Sequence, residues 1–183
     1  MEKLLPLAEK AAALLKARKQ TIAVAESSGG GLINAALLAL PGASAYCKGG
    51  MVMYTRDALL ALPGASAYCK GGMVMYTRDA LLGLRDVTPE MLTNIRGGTE
   101  ASAVFRARTI RERLNADWGL AESGTAGPTG SRYGYATGHC VLAVAGPAEK
   151  SLTIETASAD RVANMYAFSS AALTLLIEAL EAQ

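Results

Sequence analysis

The sequence predicts a three-layer α/β/α domain with a mixed, mostly parallel sheet of about five strands. Segments with apolar residues at helical spacing alternate with short apolar segments that are typical of buried strands. Two of these strands run directly into loops rich in serine, threonine and glycine, as parallel strands of α/β domains often do. Near the end of the chain, Gly146-Pro147 separates two strand-like segments and indicates an antiparallel hairpin. We expect one domain over residues 1–183.

The first elements follow from periodicity and helix-breaking residues. Apolar residues between Leu4 and Leu15 recur at helical spacing and predict an opening amphipathic helix. Residues 21–25 (TIAVA) form a short apolar strand that ends in the glycine-rich segment 26–31. A second helix then covers residues 32–40 and stops before the Pro-Gly pair at its end.

The next segment occurs twice. Residues 36–57 and residues 58–79 have the same 22-residue sequence, ALLALPGASAYCKGGMVMYTRD. Because repeat architectures diverge and recur more than twice, we interpret this as a tandem duplication inside an ordinary domain. The two copies offer strands at residues 50–55 and 72–77, and identical strands compete for one position in the sheet. We favour the second copy for that position.

The remaining elements follow the duplication. Thr88-Pro89-Glu90 is typical of a helix start. The further predicted elements are a helix that follows Gly97-Gly98 and ends near Leu114, strands at 118–122, 139–145 and 152–156, and a C-terminal helix with an apolar face between Val162 and Leu180.

Composition excludes several classes of function. With 51% hydrophobic and 19% charged residues the chain should fold, and a formal net charge of +2 gives no support for nucleic acid as a partner. No apolar run approaches the roughly 18 residues of a membrane span, and no secretory signal pattern is seen at the start, so we expect a cytoplasmic protein without a membrane partner. The three cysteines lack CxxC spacing, and we expect neither a metal site nor a disulfide framework.

Two loops are the candidate binding site. Residues 26–31 and 123–130 each follow a strand, and ligands of open α/β sheets bind beyond the carboxyl ends of such strands. The first of these loops precedes a helix, so its backbone N–H groups could hold a phosphate, although glycine turns often serve geometry alone. Ser27 and Ser123 are possible nucleophiles, but a lone serine in a loop is more often a helix cap.

Several motifs, in order, resemble one family. The stretch TIAVAESSGGGLINAALLALPGAS, the loop AGPTG, the segment VMYTRDALLGL and Asp160-Arg161 are similar to the C-terminal domain of CinA, the competence/damage-inducible protein family. That family includes nicotinamide mononucleotide deamidases, and its usual first motif is A-E-S-C-T-G-G. The similarity covers nearly the whole chain once one repeated segment is removed.

The resemblance implies an α/β/α domain that hydrolyses the nicotinamide amide to a carboxylate and releases ammonia. A serine nucleophile acts with a lysine base in such members, no cofactor or metal is implied, and the partner is a small pyridine nucleotide or phosphate. We also expect a homo-oligomer. The implied catalytic residues are Ser27, Ser123 and a tyrosine that is Tyr54 or its copy Tyr76, and the implied substrate- or phosphate-binding residues are Gly29, Gly30, Gly31, Thr125, Gly127 and Arg161.

This chain departs from the family at the general base. The family lysine lies five residues after the tyrosine, where Leu59 and Leu81 stand here. Lys48 and its copy precede the tyrosines by six residues, about 20 Å along a strand, and do not reach the catalytic end. His139, the single histidine, is expected to pack rather than to act as a base.

Three interpretations follow from this departure. The chain is an amidohydrolase with altered catalytic residues, a nucleotide-binding member that has lost its chemistry, or an oligomeric or partner-binding scaffold. The missing lysine favours the second over the first, and we expect weak or no amidase activity.

Overall fold

A computed structural model describes residues 1–52 and 95–183 of the chain. Its elements, in chain order, are α1 (Leu5–Arg18), β1 (Ile22–Glu26), α2 (Leu32–Leu38), a 3-10 turn (Ala43–Ala45), β2 (Cys47–Val52), α3 (Glu100–Arg113), β3 (Trp118–Gly124), β4 (His139–Ala145), β5 (Glu149–Glu155) and α4 (Arg161–Glu181). These elements confirm the predicted α/β class.

The five described strands form one mixed sheet in the order β2-β1-β3-β4-β5. The central strand pair, β1 and β3, is parallel, and β2 is parallel to β1 on the other side. The β3–β4 and β4–β5 pairs are antiparallel, so β4 alone among these strands runs against the others. The hairpin predicted at Gly146-Pro147 is the β4–β5 pair.

Successive residues of a strand face opposite sides of the sheet, and each side has its own hydrophobic core. Ile22 and Val24 face the larger core, which α1, α2 and α4 cover. Ala23 and Ala25 face the smaller core, where Ala103, Ala107 and Ile110 of α3 pack against them. Small side chains on this second face let α3 approach the sheet closely. The result is the three-layer arrangement that the sequence predicted.

Strand β2, which pairs with β1 at the edge of the sheet, belongs to the first repeated segment. Our expectation that the second copy fills this position is therefore wrong. The physical reason lies in the connection from α2. Tyr46 is buried, its hydroxyl donates to Leu37 O at 2.6 Å, and its carbonyl accepts from Ile22 N at 2.8 Å. This short link places β2 directly beside β1. Residues 53–94, with the second copy and the predicted helix start at Thr88, lie outside the described residues.

Helix α4 is long and apolar enough to cross a membrane by length and composition, but half of its apolar window is buried inside the domain. Phe168, Ala172 and Leu176 belong to the larger core. This burial is typical of the core helix of a soluble α/β domain. The helix begins at an N-cap, Asp160, whose carboxylate accepts from Ala163 N at 3.0 Å.

Candidate active site

The two strand-end loops line one cavity, as predicted from their positions after β1 and β3. We call residues 26–31 the first loop and residues 123–130 the second loop. The cavity has a volume of about 400 Å³. Ser27 and Ser28 of the first loop line it, together with Ser123–Gly127, Thr129 and Gly130 of the second. The adjacency arises because β1 and β3 are parallel neighbours, so both loops leave the sheet at the same edge.

The first loop is held by a buried carboxylate from the neighbouring strand. Glu122 of β3 is fully buried, and its Oε2 accepts from Ser27 N at 3.0 Å and from Gly29 N at 2.8 Å. Its Oε1 accepts from the Ser28 hydroxyl and lies 3.6 Å from the Cys140 thiol. One side chain therefore satisfies three donors of the first loop.

A second buried carboxylate, that of Glu26, accepts hydrogen bonds from the N–H groups at the start of α2. Glu26 Oε1 accepts from Ile33 N at 2.9 Å, and Glu26 Oε2 accepts from Asn34 N at 3.2 Å and from Asn34 Nδ2 at 3.0 Å. Burial raises the pKa of Glu26 to about 7, and the nearby charge of Glu122 adds to this rise, while the hydrogen bonds oppose it. The helix start predicted to bind phosphate is thus occupied by a carboxylate of this chain.

The three glycines of the first loop do not line the cavity, contrary to the phosphate-binding role expected for them. Gly29 N and Gly30 N are used within the loop, by Glu122 and by Ser27 O respectively. Gly30 and Gly31 have positive φ angles of 66° and 98°, and a side chain on Gly29 would collide with Glu26. The run of three glycines is therefore required by the geometry of the turn, and it does not by itself indicate a bound ligand.

The two serines of the first loop differ in their partners. Both are nearly buried, with 7% of Ser27 and 4% of Ser28 exposed, and both line the cavity. Within residues 1–52 and 95–183, the Ser27 hydroxyl makes no hydrogen bond, whereas the Ser28 hydroxyl donates to Glu122. Ser28 lies close to Gly124 at the end of β3. A Cβ atom on residue 124 would be 2.9 Å from Ser28 Oγ, so this position requires glycine.

The second loop is held through its carbonyl groups. Arg161 of α4 donates to Gly127 O at 2.8 Å, and buried Asn164 donates to Ala126 O at 2.9 Å. In the described part of the chain, the N–H groups of Ala126, Gly127, Thr129 and Gly130 donate no hydrogen bond. Most of the open backbone donors at the cavity are therefore in the second loop, whereas in the first loop Ser27 N and Gly29 N are bound to Glu122 and Ser28 N is open among the described residues.

Arginines make the cavity wall electropositive. Arg161 and Arg132 are exposed at its edge, and Arg106 of α3 is buried in its wall. Burial lowers the pKa of the Arg106 guanidinium, and the charge of Glu122 opposes this effect. Cations at the edge and in the wall suit an anionic ligand.

Aromatic side chains form another part of the wall. Tyr133, Tyr135 and His139 line the cavity, and the rings of Tyr135 and His139 stack with centroids 4.0 Å apart. His139 Nδ1 lies 2.5 Å from Glu155 Oε1, and its Nε2 lies 2.8 Å from Gly98 O. Because both ring nitrogens face oxygen acceptors, His139 packs as predicted rather than presenting a free lone pair to the cavity.

No lysine of the described ranges, 1–52 and 95–183, lines the cavity. Lys48 lies at the start of β2, next to the residue that pairs with Ile22, and is therefore at the end of the sheet opposite to the loops. This agrees with the predicted distance. Tyr54, Tyr76, Leu59 and Leu81 lie outside the described residues.

Sequence reasoning missed Glu122, Ser28 and Arg106. Each had a detectable signal. Glu122 is the one charged residue in the apolar strand WGLAE, directly before a loop, and Arg106 interrupts the apolar face of α3 formed by Ala103 and Ala107. A charged residue at a buried position requires a partner, and here the partners lie at the cavity.

Together, these elements define an α/β domain with a cavity beyond its strand ends that is lined by serines, backbone groups and arginines. The chain belongs to the CinA C-terminal domain family, whose sequence profile matches residues 4–59 and 56–180. The two matches meet at the boundary between the repeated segments, residues 57 and 58.

Relatives of known sequence agree with this membership. A CinA-like protein of Gloeobacter violaceus is 36% identical over 143 residues, which cover 78% of this chain and 28% of that protein. A CinA-like protein of a Cyanothece species is 33% identical over 135 residues, 74% of this chain and 27% of that protein. The chain thus matches less than a third of the length of these relatives.

Solved structures have the same fold. A competence-damaged protein (CinA) superfamily protein from Klebsiella pneumoniae superposes with a TM-score of 0.78 at 23% identity, covering 97% of this chain and 98% of that one. A competence/damage inducible protein from Agrobacterium tumefaciens superposes with a TM-score of 0.73 at 25% identity, covering 96% and 95%.

Proposed function

We propose that this domain binds a pyridine nucleotide, with nicotinamide mononucleotide as the expected member, and hydrolyses its amide weakly or not at all. The observation that carries the proposal is the cavity shared by the two loops, with serine hydroxyls on one side and backbone donors with arginines on the other. Such a cavity fits a ligand with a polar reacting group at one end and an anion at the other.

The phosphate binds the second loop in this proposal. Gly127, Thr129 and Gly130, whose N–H groups are open, line the same cavity as Arg161, and the Arg161 guanidinium donates to Gly127 O. Backbone donors next to a guanidinium form strong, charge-assisted contacts with phosphate oxygens. Thr125 and Gly127 keep the binding role expected of them, whereas the glycines of the first loop shape the turn around Ser27 and Ser28.

Weak chemistry at Ser27 follows from the missing family lysine, which would act as its base. A serine hydroxyl is a poor nucleophile until a positioned base takes its proton, and a lost base costs about 10²- to 10⁴-fold in rate. The family lysine is replaced by Leu59 and Leu81, and the Ser27 hydroxyl makes no hydrogen bond to the described residues. Ser123 lines the same cavity and would contact the substrate near the reacting amide.

Binding is tested by the shift of the thermal unfolding midpoint in nicotinamide mononucleotide, nicotinate mononucleotide and inorganic phosphate. We expect both nucleotides to raise the midpoint more than phosphate does, because a ligand that binds only the folded state stabilises it by mass action. Arg161→Ala should reduce the shift. The matched control is Arg108→Ala, which removes an exposed arginine paired with Glu149 on the other face. Equal shifts in both variants, or none in the parent chain, contradict the proposal.

Activity is tested by ammonia release from nicotinamide mononucleotide. We expect little release by the parent chain and a gain in Leu59→Lys or Leu81→Lys, which restores a lysine at the family position. Rapid turnover by the parent chain would contradict the expectation of weak activity.

A second candidate is a nucleotide-binding or oligomeric scaffold without chemistry, which the missing lysine favours. Binding without ammonia release, even from the lysine variants, supports it. A cytoplasmic location and a homo-oligomeric state are further proposals, and light scattering of the purified chain tests the latter.

A further inference from the structure

Neighbouring serines of the first loop have different chemical surroundings. Ser27, the expected nucleophile, has no hydrogen-bond acceptor for its hydroxyl among the described residues. Ser28, the next residue, donates its hydroxyl proton to Glu122 Oε1. Because a serine becomes nucleophilic when an adjacent base takes its proton, the described part of the chain provides the geometry required for nucleophilic catalysis at Ser28 and not at Ser27.

Glu122 is fixed in the orientation that a base requires. Its Oε2 is anchored by Ser27 N and Gly29 N at 3.0 and 2.8 Å, which leaves Oε1 directed at Ser28. Arg106, buried in the same wall, interacts electrostatically with Glu122. An ionised carboxylate oxygen within hydrogen-bond distance of a hydroxyl is placed to accept its proton.

Cys140 does not compete with Ser28 for this role. Burial raises the pKa of the Cys140 thiol well above its usual value, and the negative charge of Glu122 raises it further. Cys140 therefore remains protonated and donates weakly to Glu122 at 3.6 Å.

We propose that Ser28, with Glu122 as its base, is the nucleophile of this cavity. The inference rests on the proposed function in that it takes the amide of a bound nucleotide as the substrate group. Ser28 lines the cavity, and its own backbone N–H donates no hydrogen bond within the described ranges. This N–H can stabilise the oxyanion that forms when the hydroxyl attacks a carbonyl carbon.

The reaction balances with water as the co-reactant. Ser28 Oγ forms a bond to the amide carbon while its proton passes to Glu122 Oε1. The C–N bond then breaks, the proton passes from Glu122 to the leaving nitrogen, and ammonia departs from a Ser28 ester. Water attacks the ester and gives one proton to Glu122, which passes it to Ser28 Oγ as the bond between that oxygen and the carbon breaks. The serine and Glu122 are thereby restored, and the acid product leaves as a carboxylate after releasing its remaining proton to solvent.

Methanesulfonyl fluoride, a small serine-directed reagent, tests the inference, with the modified residue located by peptide mass spectrometry. The Ser28 Oγ–S bond forms, the S–F bond breaks, fluoride leaves, and the hydroxyl proton goes to Glu122. We expect an adduct on Ser28 that still forms in Ser27→Ala. In Glu122→Gln, labelling should fall about 10²-fold or more, as expected for loss of a base.

Glu122→Asp provides a second variant, since it keeps a carboxylate and a negative charge beside the first loop. We expect its labelling rate to lie between those of the parent and Glu122→Gln, and circular dichroism checks that each variant is folded. An adduct on Ser27, no adduct on either serine, or equal labelling of Ser28 in the parent and both Glu122 variants overturns the inference. Nucleotide binding is read separately by the thermal shift, so failure of the proposed function leaves the labelling result interpretable.

Discussion

The first and second loops resemble each other in sequence, but they differ in whether their backbone N–H groups already have acceptors in the protein. Both follow parallel strands and both are rich in serine and glycine. In the first loop, Glu122 and Glu26 accept the N–H groups that an anion would otherwise bind. In the second loop, protein donors hold the carbonyl groups, and the N–H groups at the cavity remain open.

This difference shows that a glycine-rich turn after a strand does not by itself mark a phosphate site. What decides the outcome is whether a carboxylate from the protein is already positioned at the donors. In this chain, one acidic residue in β3, Glu122, turns the first loop into a rigid support for two serines. We therefore propose that an anion binds the second loop and Arg161.

The largest expected effect comes from removing the carboxylate that closes the first loop. Glu122→Ala leaves two N–H groups and the Ser28 hydroxyl without this acceptor, and it removes a charge that interacts with the buried Arg106. Removal of one partner from such a buried, charged network costs about 3–5 kcal/mol in the free energy of unfolding. Urea denaturation measures this loss.

The matched control for that variant is Glu149→Ala, which removes a half-exposed glutamate paired with Arg108. Exposed ion pairs contribute about 0–1 kcal/mol, so this variant should change little. Similar losses in Glu122→Ala and Glu149→Ala would show that the first loop does not depend on Glu122.

The second prediction concerns the pH dependence of stability. The pKa of Glu26 in the folded protein, about 7, lies above its usual value of 4.5, so the folded state binds the proton more tightly than the unfolded state. The contribution of Glu26 to stability is therefore greatest below pH 4.5, falls as the pH rises to about 7, and is constant above that. The difference corresponds to about 3 kcal/mol.

Glu26→Gln tests the pH prediction because glutamine cannot ionise. The free energy of unfolding of the parent chain, measured by urea denaturation from pH 4.5 to 8, should decline more steeply than that of the variant. Parallel curves would contradict the prediction, because they would mean that the pKa of Glu26 is the same in the folded and unfolded states.

A smaller effect is expected from the residue that supports the second loop. Asn164→Ala removes donors to Ala126 O and Ser158 O and the acceptor of Thr156. Leaving such buried groups unpaired costs about 1–3 kcal/mol, and the loosened loop should also bind nucleotide less tightly.

Asn34→Ala is the matched substitution beside the first loop, where the Asn34 side chain donates one hydrogen bond to Glu26. We expect it to lower stability by about 1 kcal/mol and to leave the ligand-induced thermal shift unchanged. If Asn34→Ala weakened nucleotide binding as much as Asn164→Ala, the assignment of the ligand to the second loop would be wrong.

Most of the fold was predictable from local sequence patterns. The amphipathic spacing of α1, the apolar strands β1 and β3, and the turn at Gly146-Pro147 each point to one structure and agree with one another. The position of both loops at one sheet edge followed from the parallel order of strands. The resemblance to CinA sequences supplied the family, which no single element could.

The site was predictable only in part, because hydrogen-bond partners distant in sequence are not visible in local patterns. Glu122 is 93 to 95 residues from the loop it holds, and nothing near Ser27 or Gly29 indicates that their N–H groups are occupied. The choice between two identical strand segments also failed, since it depends on the packing of Tyr46 against α2 rather than on the strand sequence.

The central claim is that the anion binds the open donors of the second loop and not the closed donors of the first. Amide chemical shifts of a 15N-labelled chain, titrated with nicotinamide mononucleotide and with inorganic phosphate, test it most directly. The account predicts that the N–H signals of Gly127, Thr129 and Gly130 move with both ligands, while those of Ser27 and Gly29 stay with Glu122 and do not respond to phosphate. Phosphate-dependent shifts at Ser27 and Gly29, with none in the second loop, would contradict it.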